Sequence, residues 1–267
     1  MIVFPGAKIN IGLHVVSQRS DGYHNLETVF YPVPLMDILE MAESEKSRIA
    51  FSGIQIDGAS ENNLVMKAYR LLQKEFELPP VKFHLHKVIP SGSGLGGGSS
   101  NAAFTLKMLN NYFQLQLSND RLRSYAVQLG ADCPFFIDNE PAFATGIGDA
   151  LSPFPLNLPD YRLVLIIPGI PVNTGQAYRE IVPAKPGFDL RNIIGLPVEE
   201  WKDVVVNDFE KVVFLRYPEI EKWKNTLYEL GALYASMSGS GSALFGIFSD
   251  LPADLNIKIP ESILFVC

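Results

Sequence analysis

Cysteine is scarce in this chain: Cys133 and Cys267 are the only two in 267 residues. They have neither metal-ligand nor disulfide-framework spacing, which suits a reducing compartment. Long apolar runs are missing too. The greasiest stretch, Leu163-Val164-Leu165-Ile166-Ile167, stops at Pro168, far short of the ~20 residues that span a bilayer. Positive charge is in deficit, with 22 Lys plus Arg against 29 Asp plus Glu and a net charge of −7. That balance excludes a general electrostatic footprint for nucleic acid or anionic membrane, so neither is expected as a partner. Any anionic ligand is to be held by local geometry. The opening residues Met1-Ile2-Val3-Phe4-Pro5-Gly6 lack a basic stretch followed by an apolar one, which predicts no signal peptide and a cytoplasmic location. His84 and His86 share a strand face without acidic or cysteine company at ligand spacing, and no metal ligand is assigned. Internal repeats and low-complexity tails are absent.

What is present is ample core material, 47% hydrophobic against 19% charged, which excludes disorder and coiled coil. Ile9, Ile11, Leu13 and Val15 alternate with Lys8, Asn10, Gly12 and His14, the two faces of a strand. A second strand is expected over 26–31, after the turn-rich Arg19-Ser20-Asp21-Gly22. Helical spacing predicts a helix over 64–76 and another over 120–129, the second ending on Gly130. Further strands are expected over 81–89 and 162–167, a helix over 219–230, and a strand, glycine turn and strand over 232–248. Strands and helices alternate without a run of parallel βαβ units, so the fold class is α+β. Prolines cluster over 151–159 and place a boundary between a domain 1–152 and a domain 153–267.

The most unusual stretch is Pro90-Ser91-Gly92-Ser93-Gly94-Leu95-Gly96-Gly97-Gly98-Ser99-Ser100-Asn101. It satisfies G-x-G-x-x-G, but so many glycines satisfy almost any glycine template, and no acidic residue closes a following strand. No G-x-x-x-x-G-K-[ST] occurs, so a P-loop is excluded. A flexible linker would not run straight into the amphipathic pattern of Ala102, Leu106, Leu109 and Phe113, which predicts a helix beginning near Ser100. Glycines there let backbone N–H groups turn inward without side chains in the way, and the helix N-terminus adds its positive end. The stretch suits a polyphosphate.

Residues 90–103 resemble the ATP-binding loop of the GHMP kinase superfamily, which phosphorylates small-molecule alcohols. Pro5-Gly6-Ala7-Lys8-Ile9-Asn10 and Met237-Ser238-Gly239-Ser240-Gly241-Ser242 are similar to its N-terminal and third motifs. Asp21-Gly22-Tyr23-His24, Gly130-Ala131-Asp132-Cys133-Pro134-Phe135-Phe136 and Ala144-Thr145-Gly146-Ile147-Gly148 look like the branch whose substrate carries a cytidine diphosphate. The resemblance implies a two-domain fold with the active site in the cleft between the domains. It implies ATP as co-substrate, Mg2+, and phosphorylation of the 2-hydroxyl of a cytidine-diphosphate-linked methylerythritol in non-mevalonate isoprenoid precursor biosynthesis. Oligomeric state is left open.

The same resemblance assigns catalysis to Lys8 and Asp132. Asp132 would accept or orient the hydroxyl proton, and Lys8 would stabilise charge on the transferring group. By themselves, Asp132 reads first as a turn or capping aspartate and Lys8 as a solvated strand lysine, and only their joint placement within the family motifs reverses that order. ATP falls to Pro90, Ser91, Gly92, Ser93, Gly94, Leu95, Gly96, Gly97, Gly98, Ser99 and Ser100. On the substrate side stand Asn10, Tyr23 and His24, the last two for the cytosine, with Thr174 near the erythritol hydroxyls. Tyr178 would face Tyr23 across the base, or would simply be a half-buried helix tyrosine.

Overall fold

The computed structural model describes residues 1–56, 60–260 and 263–267. Its strands are β1 (Ile2–Val3), β2 (Gly6–Gln18), β3 (His24–Met36), β4 (Ile38–Glu43), β5 (Arg48–Gly53) and β6 (Val81–Lys87). They continue with β7 (Ala142–Thr145), β8 (Ala150–Pro153), β9 (Arg162–Ile166), β10 (Tyr234–Met237), β11 (Leu244–Phe248) and β12 (Leu264–Val266). The helices that matter here are α1 (Leu64–Phe76), α2 (Gly97–Tyr112), α3 (Asn119–Ala126), α4 (Phe135–Asp138) and α5 (Thr174–Glu180), followed by α6 (Trp201–Val204), α7 (Glu210–Arg216) and α8 (Pro218–Glu229). Contacts divide the chain into two compact units. The first comprises Met1–Ala7, Pro34–Ser91 and Gly96–Glu140; the second comprises Lys8–Val33, Gly92–Leu95 and Pro141–Cys267. This division is interleaved along the chain.

In the first unit a four-stranded sheet, ordered β1-β4-β6-β5, meets α1 through Tyr69 on Phe83 and α2 through Lys87 on Asn101, and the two helices pack on each other. The alternation read over 81–89 is observed: Val81, Phe83 and Leu85 are buried while Lys82, His84 and His86 turn outward. Helix α1 starts where Asn63 accepts the Val65 N–H, and it buries Val65, Met66, Ala68, Tyr69 and Leu72. Helices α3 and α4 pack against α2. Helix α3 ends at Ala126, short of the expected 129, and turns carry the chain on to Gly130.

The second unit holds two more sheets, β2-β3-β7-β8 and β10-β11-β9-β12. Strand β2 is covered on both faces as far as Val15, so its polar residues Lys8, Asn10 and His14 are as buried as its apolar ones. Strand β3 runs to Met36, past the expected end at 31, because Pro32 and Pro34 lie beyond the stretch Thr28–Phe30 that pairs with β7 and cost that ladder no hydrogen bond. A core of Leu13, Val15, Val164, Ile166, Leu227, Met237 and Phe248 joins residues from the two ends of the chain.

Candidate active site

In the second unit, β2, the segment Gly92–Leu95 and the turn after β10 converge. Lys8 is only 3% exposed, so it is no solvated strand lysine. Its Nζ donates to Asn10 Oδ1 at 2.6 Å and to the Gly94 carbonyl at 3.2 Å, and lies 4.9 Å from the centre of the Phe30 ring. Asn10 is itself fixed, since its Nδ2 donates to Thr28 Oγ1, which donates to the Gly12 carbonyl. The backbone N–H of Lys8 reaches the Leu95 carbonyl, and Ala243 N–H reaches the Ser93 carbonyl. Ser238 Oγ accepts from Asn10 N–H and donates to Gly94 O at 2.9 Å. Gly94 has φ +82°, and a Cβ there would fall 2.0 Å from the Ser238 carbonyl oxygen. No side chain is possible at that crossing.

Thr174 opens α5 and its hydroxyl lies 2.8 Å from Ser240 Oγ, which ties α5 to the turn after β10. One turn on, Tyr178 is half-buried and stacks on His24, with centroids 5.2 Å apart and planes at 25°. Phe209 meets Tyr178 edge-on, with centroids 4.8 Å apart. The ring on Tyr178 is therefore that of His24, which is 8% exposed, whereas Tyr23 is 62% exposed and was expected opposite Tyr178. Tyr23 stands in the turn just before β3, outside the strand that holds His24. Asp21 accepts the Tyr23 N–H and pairs with Arg19, which stiffens this turn.

The first unit holds the other half of the expected residues. Helix α2 begins at Gly97, three residues before the expected start, with Gly96 at the N-cap in a left-handed conformation, φ +71°. Ser99 thus sits inside its first turn, where N–H groups have no partner within the helix, and the N–H of Ser100 closes that turn on the Gly96 carbonyl at 2.9 Å. Ser100 is fully buried and its Oγ has no hydrogen-bond partner. Asp132 lies in the turn between α3 and α4, two residues after Gly130. The adjacent Cys133 is buried, and burial pushes its thiol up to about 12 although Ser99 pulls the other way. It is a neutral thiol, unsuited to act as a nucleophile. Among the described residues, no group of three or more His, Cys, Asp or Glu is placed to hold a metal ion.

Residues 63–146 match the GHMP kinases N terminal domain, and residues 197–258 match the GHMP kinases C terminal. A 4-diphosphocytidyl-2-C-methyl-D-erythritol kinase of Bacteroides fragilis is 55% identical over 253 residues, covering 93% of this chain and 92% of its own. The chain belongs to the 4-diphosphocytidyl-2-C-methyl-D-erythritol kinase family of GHMP kinases. A crystal structure of 4-(cytidine 5'-diphospho)-2C-methyl-D-erythritol kinase, 32% identical, superimposes with a TM-score of 0.83 and covers 100% of this chain and 98% of its own. Methanococcus jannaschii mevalonate kinase, at 11% identity, TM-score 0.73 and coverage of 100% and 96%, shares the fold.

This member of the 4-diphosphocytidyl-2-C-methyl-D-erythritol kinase family also uses residues that its sequence did not advertise. Asn207 Nδ2 donates to the carbonyls of Met237 at 2.7 Å and Gly239 at 2.8 Å. Glu210 accepts from Met237 N–H and Ser236 Oγ and pairs with Lys224. Asp208 accepts from Val15 N–H on β2. Asn207-Asp208-Phe209-Glu210 therefore clasps the third glycine motif and β2 together. The available signal was four residues, three of them polar, following the apolar Val204-Val205-Val206, which by itself reads as an ordinary turn. No described helix is long and apolar enough to cross a membrane.

Proposed function

We propose that this chain transfers the γ-phosphoryl group of ATP to the 2-hydroxyl of 4-diphosphocytidyl-2-C-methyl-D-erythritol, in the cytoplasmic, non-mevalonate route to isoprenoid precursors. The observation that carries the reading is the buried Lys8 ammonium, held by Asn10 and by a carbonyl of the glycine loop. A cation so fixed beside a phosphate loop suits the charge that develops during phosphoryl transfer, which needs positioning and neutralisation more than covalent help. Residues 90–100 hold the ATP phosphates with backbone N–H groups and the N-terminus of α2. Asp132 takes or orients the proton of the acceptor hydroxyl, which leaves as the new P–O bond forms and the bond to ADP breaks. Thr174 faces the erythritol hydroxyls. His24, backed by Tyr178, reads the cytosine edge, and the exposed Tyr23 closes on the base face.

Mg2+ fits as an ion carried mainly by the phosphates, since the described residues offer no acidic cage and the buried Ser100 hydroxyl at the loop has an oxygen to spare. When bound, it neutralises the phosphate oxygens. The reading is tested by ADP release over a panel of alcohols with and without the cytidine diphosphate group. Turnover is expected only with the cytidylated substrate; turnover with plain mevalonate or homoserine overturns the assignment. Asp132→Asn is expected to lower kcat about 100- to 10,000-fold, as loss of a general base or orienting group does. It should leave the ATP-induced rise in melting temperature intact, and near-normal turnover would remove Asp132 from the mechanism.

A further inference from the structure

One buried polar cluster lies outside these assignments. Asp37, fully buried in the turn between β3 and β4, is surrounded by donors. Its Oδ1 accepts the N–H groups of Val88 at 2.7 Å and Ile89 at 2.8 Å. Its Oδ2 accepts from Asn101 Nδ2 at 2.8 Å and from the Lys87 ammonium. Lys87 Nζ in turn donates to Asn101 Oδ1 at 3.1 Å, and all three side chains are 3% exposed or less. Burial pulls Lys87 below the ordinary lysine range, against the opposing pull of Asp37. Val88 and Ile89 are the last residues before the glycine loop, and Asn101 is in the second turn of the helix that follows it. A Cβ on Gly97 would stand 2.9 Å from Lys87 Nζ and 2.8 Å from Ile89 Cγ2, so the first residue of α2 rests against the same cluster.

We propose that Asp37, with Lys87 and Asn101, is the positioning group of the phosphate loop: one carboxylate fixes both the strand that enters the loop and the helix that leaves it. The inference rests on the reading of residues 90–100 as the ATP site. A buried pair is weak support for stability, because well-packed apolar residues of the same volume often do as well. Its retention at this point is accounted for by geometry, since donors aimed at phosphate act only when held in place before the ligand arrives. The cluster touches no substrate and acts solely through the loop ends.

The test compares Asp37→Asn, Lys87→Met and the double variant, with KM for ATP and for the cytidylated alcohol measured separately and with ATP-induced melting shifts. Asp37→Asn leaves a buried ammonium without its counter-charge and should lower the melting temperature by about 10 °C. Well below melting, KM for ATP should rise on the order of tenfold or more, while KM for the alcohol stays within about twofold. The double variant, a neutral pair, should regain much of the melting temperature but not the affinity for ATP. Recovery of both together, or equal changes in both KM values, would make the cluster structural only and overturn the proposal. If Asp37→Asn does not fold, Asn101→Ala, which cuts only the arm to the helix, carries the same comparison. Were the wild-type chain to bind ATP yet release no ADP, the kinase reading would fall while the melting shifts still decided the role of Asp37.

Discussion

Taking a lysine out of water costs several kcal/mol unless its donors are met, and Lys8 shows how one residue offsets that cost. Asn10, two positions along the same strand, shares its face and lends it an oxygen at 2.6 Å. Sequence periodicity placed the two together, and the structure adds why Asn stands there: its amide is locked by Thr28, so the ammonium is aimed rather than merely buried. The aromatic residues are a harder case at this scale. Tyr23 and His24 are adjacent in sequence and divided in space, one exposed and one stacked. Tyr23→Ala should therefore leave folding unchanged and raise KM for the cytidylated substrate about 5- to 150-fold, the worth of one base–aromatic stack. KM for ATP should not move. Steady-state kinetics with each substrate varied in turn makes the check, and no change in either KM would return Tyr23 to the status of a turn residue.

At the scale of elements, the glycine loop works because backbone approaches backbone. Gly94→Ala would thrust a methyl at the Ser238 carbonyl from a left-handed conformation. The expected result is loss of the ATP-induced melting shift and turnover at least about tenfold lower, with the fold retained because the strain is confined to a turn. A retained shift would show that the third glycine motif does not brace the first. The elements themselves were largely legible. Helix α1, strand β6 and helix α8 follow from apolar spacing and caps, and lie within two residues of where the spacing put them. Less legible was the start of α2, because a run of glycine and serine gives no apolar period, and the helix begins at Gly97, capped by Gly96, rather than near Ser100. Also illegible were Asp37 and Asn207. Each holds carbonyls or N–H groups of distant segments, and no local pattern announces a partner fifty or thirty positions away.

For the molecule as a whole, motifs spread from Pro5 to Ser242 made the family readable while leaving the architecture of the units unread. Composition shifts mark a change along the chain, and the units are not consecutive along it. The first unit is drawn wholly from residues up to Glu140. The second takes its opening strand from the start of the chain and its remaining sheet from the end, and Asn10 meets Ser238 across 228 positions. Translation makes this a matter of timing. At about 5–20 residues per second, β2 leaves the ribosome on the order of 10–45 seconds before the Ser238 turn that meets it is made. During that interval Leu13 and Val15, which the finished protein buries against residues of β9, β10 and β11, lack that cover, whereas the first unit has every residue it needs once Glu140 is made. Arrested nascent chains that stop before β10 should thus be cut by protease within β2 and protected in α1 and α2, and protection of β2 should appear only once β11 has emerged.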